Sequence, residues 1–183
     1  MKLSFNERRA TQVAGILFGL NQGRPIDRIK LLCLLYICER RDFDKWGEPM
    51  IGDEYVAIRE GPVLKSVLAL TADPAALSSD LGSYWNQFLC SDGERVCRRQ
   101  RGPMPKDETS RADRDIIKAV FNDFGQWDAP KLAEHTRGFH EWHNPAGPIP
   151  VEAIFKALNC TPEQIEYLIE DLEERELTTR LLA

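Results

Sequence analysis

Apolar residues along this chain recur at helical spacing in most segments and alternate at strand spacing in few. Ala10, Val13, Ala14, Leu17 and Phe18 fall on one helical face, with Ser4 and Glu7 ahead of them at capping-box spacing and Asn21 to Gly23 as the stop. A second helix starts at Asp27 as N-cap after Pro25, with Ile26 and Leu31 placed to staple its entry, and ends near Trp46 and Gly47. Ile29 to Cys38 is apolar nearly all the way round, which predicts a central helix buried on most sides. Ser110 caps a further helix with Ile116, Ile117, Val120, Phe121 and Phe124 aligned and Gly125 at its end. Asp128 opens a short helix through His135, and Val151 to Leu158 reads as another. Thr161 to Gln164 is a capping box with Pro162 at the first helical position, so a last helix runs from Pro162 to Glu176.

Strand signals are confined to two places. After Gly47 and Pro49 stop the second helix, Gly52-Asp53 reads as a turn. Tyr55 to Arg59 then reads as a short strand, and Gly61-Pro62 closes that strand. Ser83 to Cys90 and Arg95 to Arg98 flank Ser91 to Glu94, a hairpin signal because Asp-Gly tolerates the positive φ of a tight turn. Between them, Val63 to Leu70 predicts a short helix stopped by Asp73-Pro74, and Ala75 to Gly82 has no decisive pattern. Gly102 to Pro105 is a loop, and the glycines and prolines of Gly138 to Pro150 predict irregular backbone. With no repeat and no shift of composition, residues 1–183 read as one domain of α+β class, predominantly α-helical, with a small antiparallel β element.

Length and composition agree with a soluble globular chain: 183 residues, 43% hydrophobic and 29% charged. The start lacks an apolar signal region and no apolar run approaches a membrane span. The five cysteines are an odd number and several sit in apolar patterns, as reduced thiols of a cytoplasmic protein do. The net charge of −5 is unevenly spread: Arg95, Arg98, Arg99, Arg101 and Lys106 occur without an acid among them, whereas Glu163 to Glu176 holds seven acids against Arg175.

That asymmetry bears on nucleic acid. Val151 to Leu158 and Pro162 to Glu176 have helix-turn-helix proportions, but a reading helix so acidic would be repelled by phosphates. Ile165, Leu168, Ile169 and Leu172 instead make it amphipathic. Nucleic acid is therefore an unfavoured partner, and a DNA-binding regulator of its own operon is the alternative reading. The basic run reads as a solvated hairpin and loop, with contact to nucleic acid or an acidic protein as its alternative. Tyr84, Trp85 and Phe88 beside it serve as interface anchors or as core.

Catalytic and metal chemistry find little purchase. His135, His140 and His143 cluster with Glu134 and Glu141 but lack the helical His-Glu-x-x-His pattern, and read as ordinary loop histidines. There is no Gly-x-Ser-x-Gly elbow and no lysine-bearing phosphate loop. Asp53 and Glu54 are adjacent, so in extended chain they point to opposite sides. The expectation is a non-enzymatic protein with no metal and no cofactor. What remains is the segment from Trp46 to Val63, whose conformational specification without catalytic groups suggests recognition. Its candidate contact residues are Asp53, Glu54, Tyr55, Arg59 and Glu60; Gly52, Gly61 and Pro62 set the backbone, and Trp46 and Trp142 support it from beneath. The plainer alternative is a shaped connection in which Asp53 only holds the turn.

Three stretches carry a family resemblance: Lys30-Leu-Leu-Cys-Leu-Leu-Tyr36, Trp46-Gly-Glu-Pro-Met-Ile-Gly-Asp-Glu-Tyr-Val-Ala57 and Gly61-Pro-Val63. Asp115-Ile-Ile, Phe124-Gly125, Leu132, Thr136 and Trp142 continue it, so the likeness runs from about Ile26 to Trp142. The chain resembles the Panacea domain family of SocA-like antitoxins, which are bacterial and phage-associated. The resemblance implies a mostly helical fold with a small β element. It also implies an antitoxin that binds and suppresses a cognate toxin protein, often encoded beside it, and in at least one member delivers that toxin to a cellular protease. The chain departs from the family in having His135-Thr136-Arg137 before the late tryptophan, and in its Cys90 to Lys106 hairpin and basic loop.

Overall fold

A computed structural model describes residues 3–72, 81–99, 102–142 and 147–182. Its elements in chain order are α1 (Glu7–Leu20), β1 (Ile26–Asp27), α2 (Arg28–Trp46), β2 (Tyr55–Ile58), β3 (Gly61–Leu64) and α3 (Lys65–Thr71). There follow α4 (Trp85–Phe88), β4 (Leu89–Ser91), β5 (Arg95–Arg98), α5 (Arg111–Phe124), α6 (Ala129–Arg137), β6 (Gly147–Ile149), α7 (Val151–Ala157) and α8 (Pro162–Leu182). The fold is α+β and mostly helical, with two small antiparallel sheets ordered β1-β5-β4 and β3-β2-β6.

The core is organised by α2. Asp27 caps it by accepting the Lys30 amide (3.0 Å), and Gly47 ends it in the left-handed conformation, φ +72°. Leu31 to Glu39 are buried without interruption, because α5, α6 and β3 all pack on this helix. Helix α5 is fixed by a reciprocal Ser110–Asp113 capping box, presents Ile116, Ile117 and Val120 inward, and also receives α1. Asp128 caps α6, with Pro130 in its first turn. The Thr161–Gln164 box opens α8, which continues beyond Glu176 to Leu182.

Several local expectations are corrected by tertiary partners. Ser4 and Glu7 do not form a capping box; Asn6 caps α1 by accepting the Arg9 amide. The Ser4 amide and hydroxyl donate instead to Glu176, while the Glu7 carboxylate accepts the backbone amides of Gly82, Tyr84 and Trp85. That carboxylate satisfies otherwise orphaned donors at a helix start, so Trp85–Phe88 forms a helical turn, and of the expected Ser83–Cys90 strand only Leu89 and Cys90 are extended, with Ser91 added from the expected turn. Gly61 and Pro62 do not close β2; they open β3, which takes Val63 and Leu64 from the expected helix. Two strands were illegible, β1 and β6, each too short to show alternation and defined only by its pairing. The Asp73-Pro74 stop and Ala75 to Asp80 lie outside the described residues.

Candidate functional site

The β2–β3 hairpin is shaped by a carboxylate on α2. Glu39 is 0% exposed, and its two oxygens accept the amides of Ile51 (2.8 Å) and Gly52 (3.0 Å) and the Tyr55 hydroxyl (2.6 Å). Burial pushes its pKa above the ordinary carboxylate value, and these three donors oppose that rise. The result is a fixed path from α2 into β2. The Tyr55 ring is held from two sides by Tyr36 (6.1 Å between centroids) and Phe43 (5.8 Å), both edge-on.

One turn along α2, Tyr36 and Arg40 converge on Glu141. The Tyr36 hydroxyl (2.9 Å) and Arg40 Nε (2.8 Å) donate to the same Glu141 oxygen, and the Arg40 guanidinium lies 4.4 Å above the Phe139 ring. Tyr36, Glu39 and Arg40 thus form a polar stripe that ties α2 to two later segments. Nothing in the sequence singles out Glu39, which opens the charged run Glu39-Arg40-Arg41-Asp42 after the apolar stretch; as a buried acid it needs partners, and the fold supplies them.

Asp53 is also structural. Only 3% exposed, it accepts the Ser66 amide (2.7 Å), the Ser66 hydroxyl (2.8 Å) and the Glu54 amide (2.8 Å). Ser66 lies in the first turn of α3, whose N-cap position is taken by Leu64, a residue without a capping group. Asp53 supplies that cap from the far side of the hairpin. Burial raises its pKa, partly offset by these bonds.

The hairpin itself pairs Tyr55 with Leu64 and Ile58 with Gly61, leaving Arg59 and Glu60 as a two-residue turn. Gly61 has φ +144°, and a methyl group there would lie 2.4 Å from Thr136 Oγ1, so β3 approaches α6 as only glycine permits. The Trp142 indole N–H donates to the Ile58 carbonyl (3.0 Å), and β6 extends the sheet by pairing Tyr55 with Ile149.

The predicted contact residues therefore do not share one surface. Asp53 and Tyr55 are buried; Glu54 is half-buried and ion-paired with Lys65 at 2.5 Å; Arg59 is exposed and Glu60 partly so at the turn. Of the backbone-setting residues, Gly52 has φ +73° and Pro62 is buried in β3. Trp46 does not lie beneath the hairpin: it is 53% exposed on the solvent side of the end of α2, 5.0 Å from Lys45 Nζ. Among the histidines, the His135 ring packs on Phe124 (5.0 Å), Trp127 (5.5 Å) and Phe139 (5.2 Å), and burial lowers its pKa. His140 is exposed, and His143 lies outside the described residues. Among the described residues no three metal-ligating side chains converge, and no helix is long and apolar enough to cross a membrane.

A groove of ≈ 710 Å³ runs between the segment before α1, the loop after α2 and α8, with Ser4, Glu7, Arg8, Glu48, Arg175 and Glu176 on its walls. Its charges largely answer one another: Arg175 pairs with Glu48 (2.5 Å) and Asp171 (2.8 Å).

No curated protein and no solved structure matches the chain. A family model described as antitoxin SocA-like, Panacea domain, does match, over residues 31–143. Those residues contain Glu39, the loop that Glu39 organises, the whole β2–β3 hairpin, and Glu141 with its two donors; α7 and α8 lie beyond them. With well over half its length matched, the chain belongs to the SocA-like antitoxin, Panacea domain family.

Proposed function

We propose that this chain is the antitoxin of a bacterial or phage toxin–antitoxin pair, and that it neutralises its cognate toxin stoichiometrically by direct protein–protein binding in the cytoplasm. Family membership across residues 31–143 carries the reading. It is supported by the fate of the buried carboxylates, since Glu39, Asp53 and Glu141 each hold backbone or side-chain donors that shape the body. A preorganised surface of this kind suits recognition, which loses less affinity when little must be ordered on binding. A stable complex of standard size would bury ~1,600 Å² in total.

The test is to express the neighbouring open reading frame alone and together with this protein. Growth arrest by the neighbour, rescue by this chain and co-purification of the two are expected. A harmless neighbour, or one neither rescued nor bound, overturns the reading. Delivery of the bound toxin to a protease adds a later step, read as a shortened toxin half-life in cells when this chain is present. The operon-regulator alternative gains nothing from α8, whose acidity opposes phosphate contact; tight, salt-sensitive gel shift of upstream DNA would revive it.

A further inference from the structure

Helix α8 is separated from the rest of the molecule by charge. It contains seven acids and two arginines, so its net charge of −5 equals that of the entire chain, and the other residues balance. It is separated by packing as well. Among its described side chains only Leu172 is buried, with Ile165, Leu168 and Ile169 half-buried on the inner face.

The outer face is organised. Tyr167, Glu170, Glu174, Leu177 and Leu181 follow one another at spacings of three and four residues and so form one stripe along the helix. Tyr167 is 67% exposed, Leu177 60% and Leu181 78%. These three and Trp46 are the exposed large apolar residues among those described, and Trp46 stands beside Gly47, against which Leu168 of α8 packs. Three of these four exposed apolar residues thereby share one side of α8 with the exposed acids Glu170 and Glu174. A helix that buries one residue from its own body, yet presents an apolar seam elsewhere, has the form of a ligand for a groove.

Charge decides what fills that seam. A second copy docked stripe to stripe would bring together two helices of net charge −5, and like charges across an interface are repulsive. A basic partner is attracted by the same charge. We infer that the Tyr167–Leu181 stripe of α8 is the docking face for a basic protein surface with an apolar floor, namely that of the toxin; the inference rests on the antitoxin reading above. The stripe lies beyond residues 31–143, so it places the choice of toxin on an element added to the body that the family model matches.

The experiment uses the neighbouring gene's product as toxin and measures both growth rescue and Kd at low and high salt. Four forms of the full chain are compared: wild type; Tyr167→Ala with Leu177→Ala and Leu181→Ala; Glu170→Lys with Glu174→Lys; and Arg59→Glu with Glu60→Lys at the hairpin turn. All substituted side chains are exposed or partly so, and circular dichroism should show unchanged helicity. Both α8 forms are expected to bind at least about tenfold more weakly and to lose rescue. The charge-reversed form should also lose the salt dependence of association. The hairpin form is expected within about twofold of wild type. Rescue and affinity unchanged in the α8 forms, or lost in the hairpin form alone, overturn the inference while leaving the antitoxin reading intact. A wild type that neither binds nor rescues removes both. A wild-type dimer that the triple alanine form dissociates assigns the stripe to self-association and overturns the inference too. Should the alanine form misfold, the lysine form decides.

Discussion

Helices α2 and α8 are the two longest in the molecule, at 19 and 21 residues, and they are stabilised in opposite ways. In α2 the helix is a consequence of burial, and its inward polar groups are bonded within the core: Glu39 to Ile51, Gly52 and Tyr55, and Tyr36 and Arg40 to Glu141. In α8 the helix is held by local terms, namely the Thr161–Gln164 box and ion pairs such as Arg175–Asp171, with two tethers to the body at Ser4 and Glu48. The two helices tolerate charge on different terms. A buried carboxylate in α2 is a structural commitment, whereas the outer-face carboxylates of α8, Glu170 and Glu174, are exposed to solvent.

The sharpest break of this comparison is Glu39→Ala. It leaves two backbone amides and a tyrosine hydroxyl buried without an acceptor, and a loss of about 3 kcal/mol or more is expected in urea unfolding. Wild-type stability in this variant would show that the Glu39 contacts do not hold the loop. Next come the glycines at close approaches. Gly61→Ala should cost about 2 kcal/mol through its positive φ and its collision with Thr136. Gly47→Ala places a methyl 2.5 Å from the Leu168 side chain and should cost about 1–2 kcal/mol, with faster amide hydrogen exchange in α8 than in α2. Equal exchange in the two helices would mean that α8 is not a separable unit.

Asp42 tests the same contrast through pH. It lies on α2, 2% exposed, with Oδ1 unpartnered, and burial raises its pKa from 3.8 to about 7. The native state keeps a proton there that the unfolded chain releases. Its contribution is therefore full below pH 3.8 and is lost as pH rises through about 7. Asp42→Asn is expected to flatten that fall and to stabilise the protein by about 1 kcal/mol near pH 8, with little change near pH 4. Denaturant midpoints that fall with pH identically in both proteins would remove Asp42 as the cause. The smallest effect belongs to the outer face of α8: Leu177→Ala should shift stability by less than about 0.5 kcal/mol. A larger loss would mean that this side chain is packed rather than exposed.

Legibility followed the same division. The caps at Asp27, Ser110, Asp128 and Thr161 were readable because their partners lie three residues away, inside the helix each one starts. The cap at Ser4 was misread because the Ser4 donors and the Glu7 carboxylate, an acceptor, find partners far along the chain. Asp53 and Tyr55 looked like surface residues because a turn followed by a short strand is legible locally, but the distant elements that cover it are not. Here the partners that bury them, Ser66 and Glu39, come from α3 and α2. Strand β6 was invisible for a related reason, since three residues containing Pro148 define no period.

The reach of the Glu39 contacts along the chain has a further consequence, for the order in which the molecule assembles. Those bonds span 12, 13 and 16 residues, whereas the bond between Ser4 and Glu176 spans 172. Short closures lose little chain entropy, so α2, its following loop and the hairpin are expected to form as an early unit, with α8 docking last. Pulse-labelled exchange during refolding should protect Ile51 and Gly52 before the amides of α8. A charged arm that joins last is also one that can leave first, and the body beneath it need not unfold for the arm to be released.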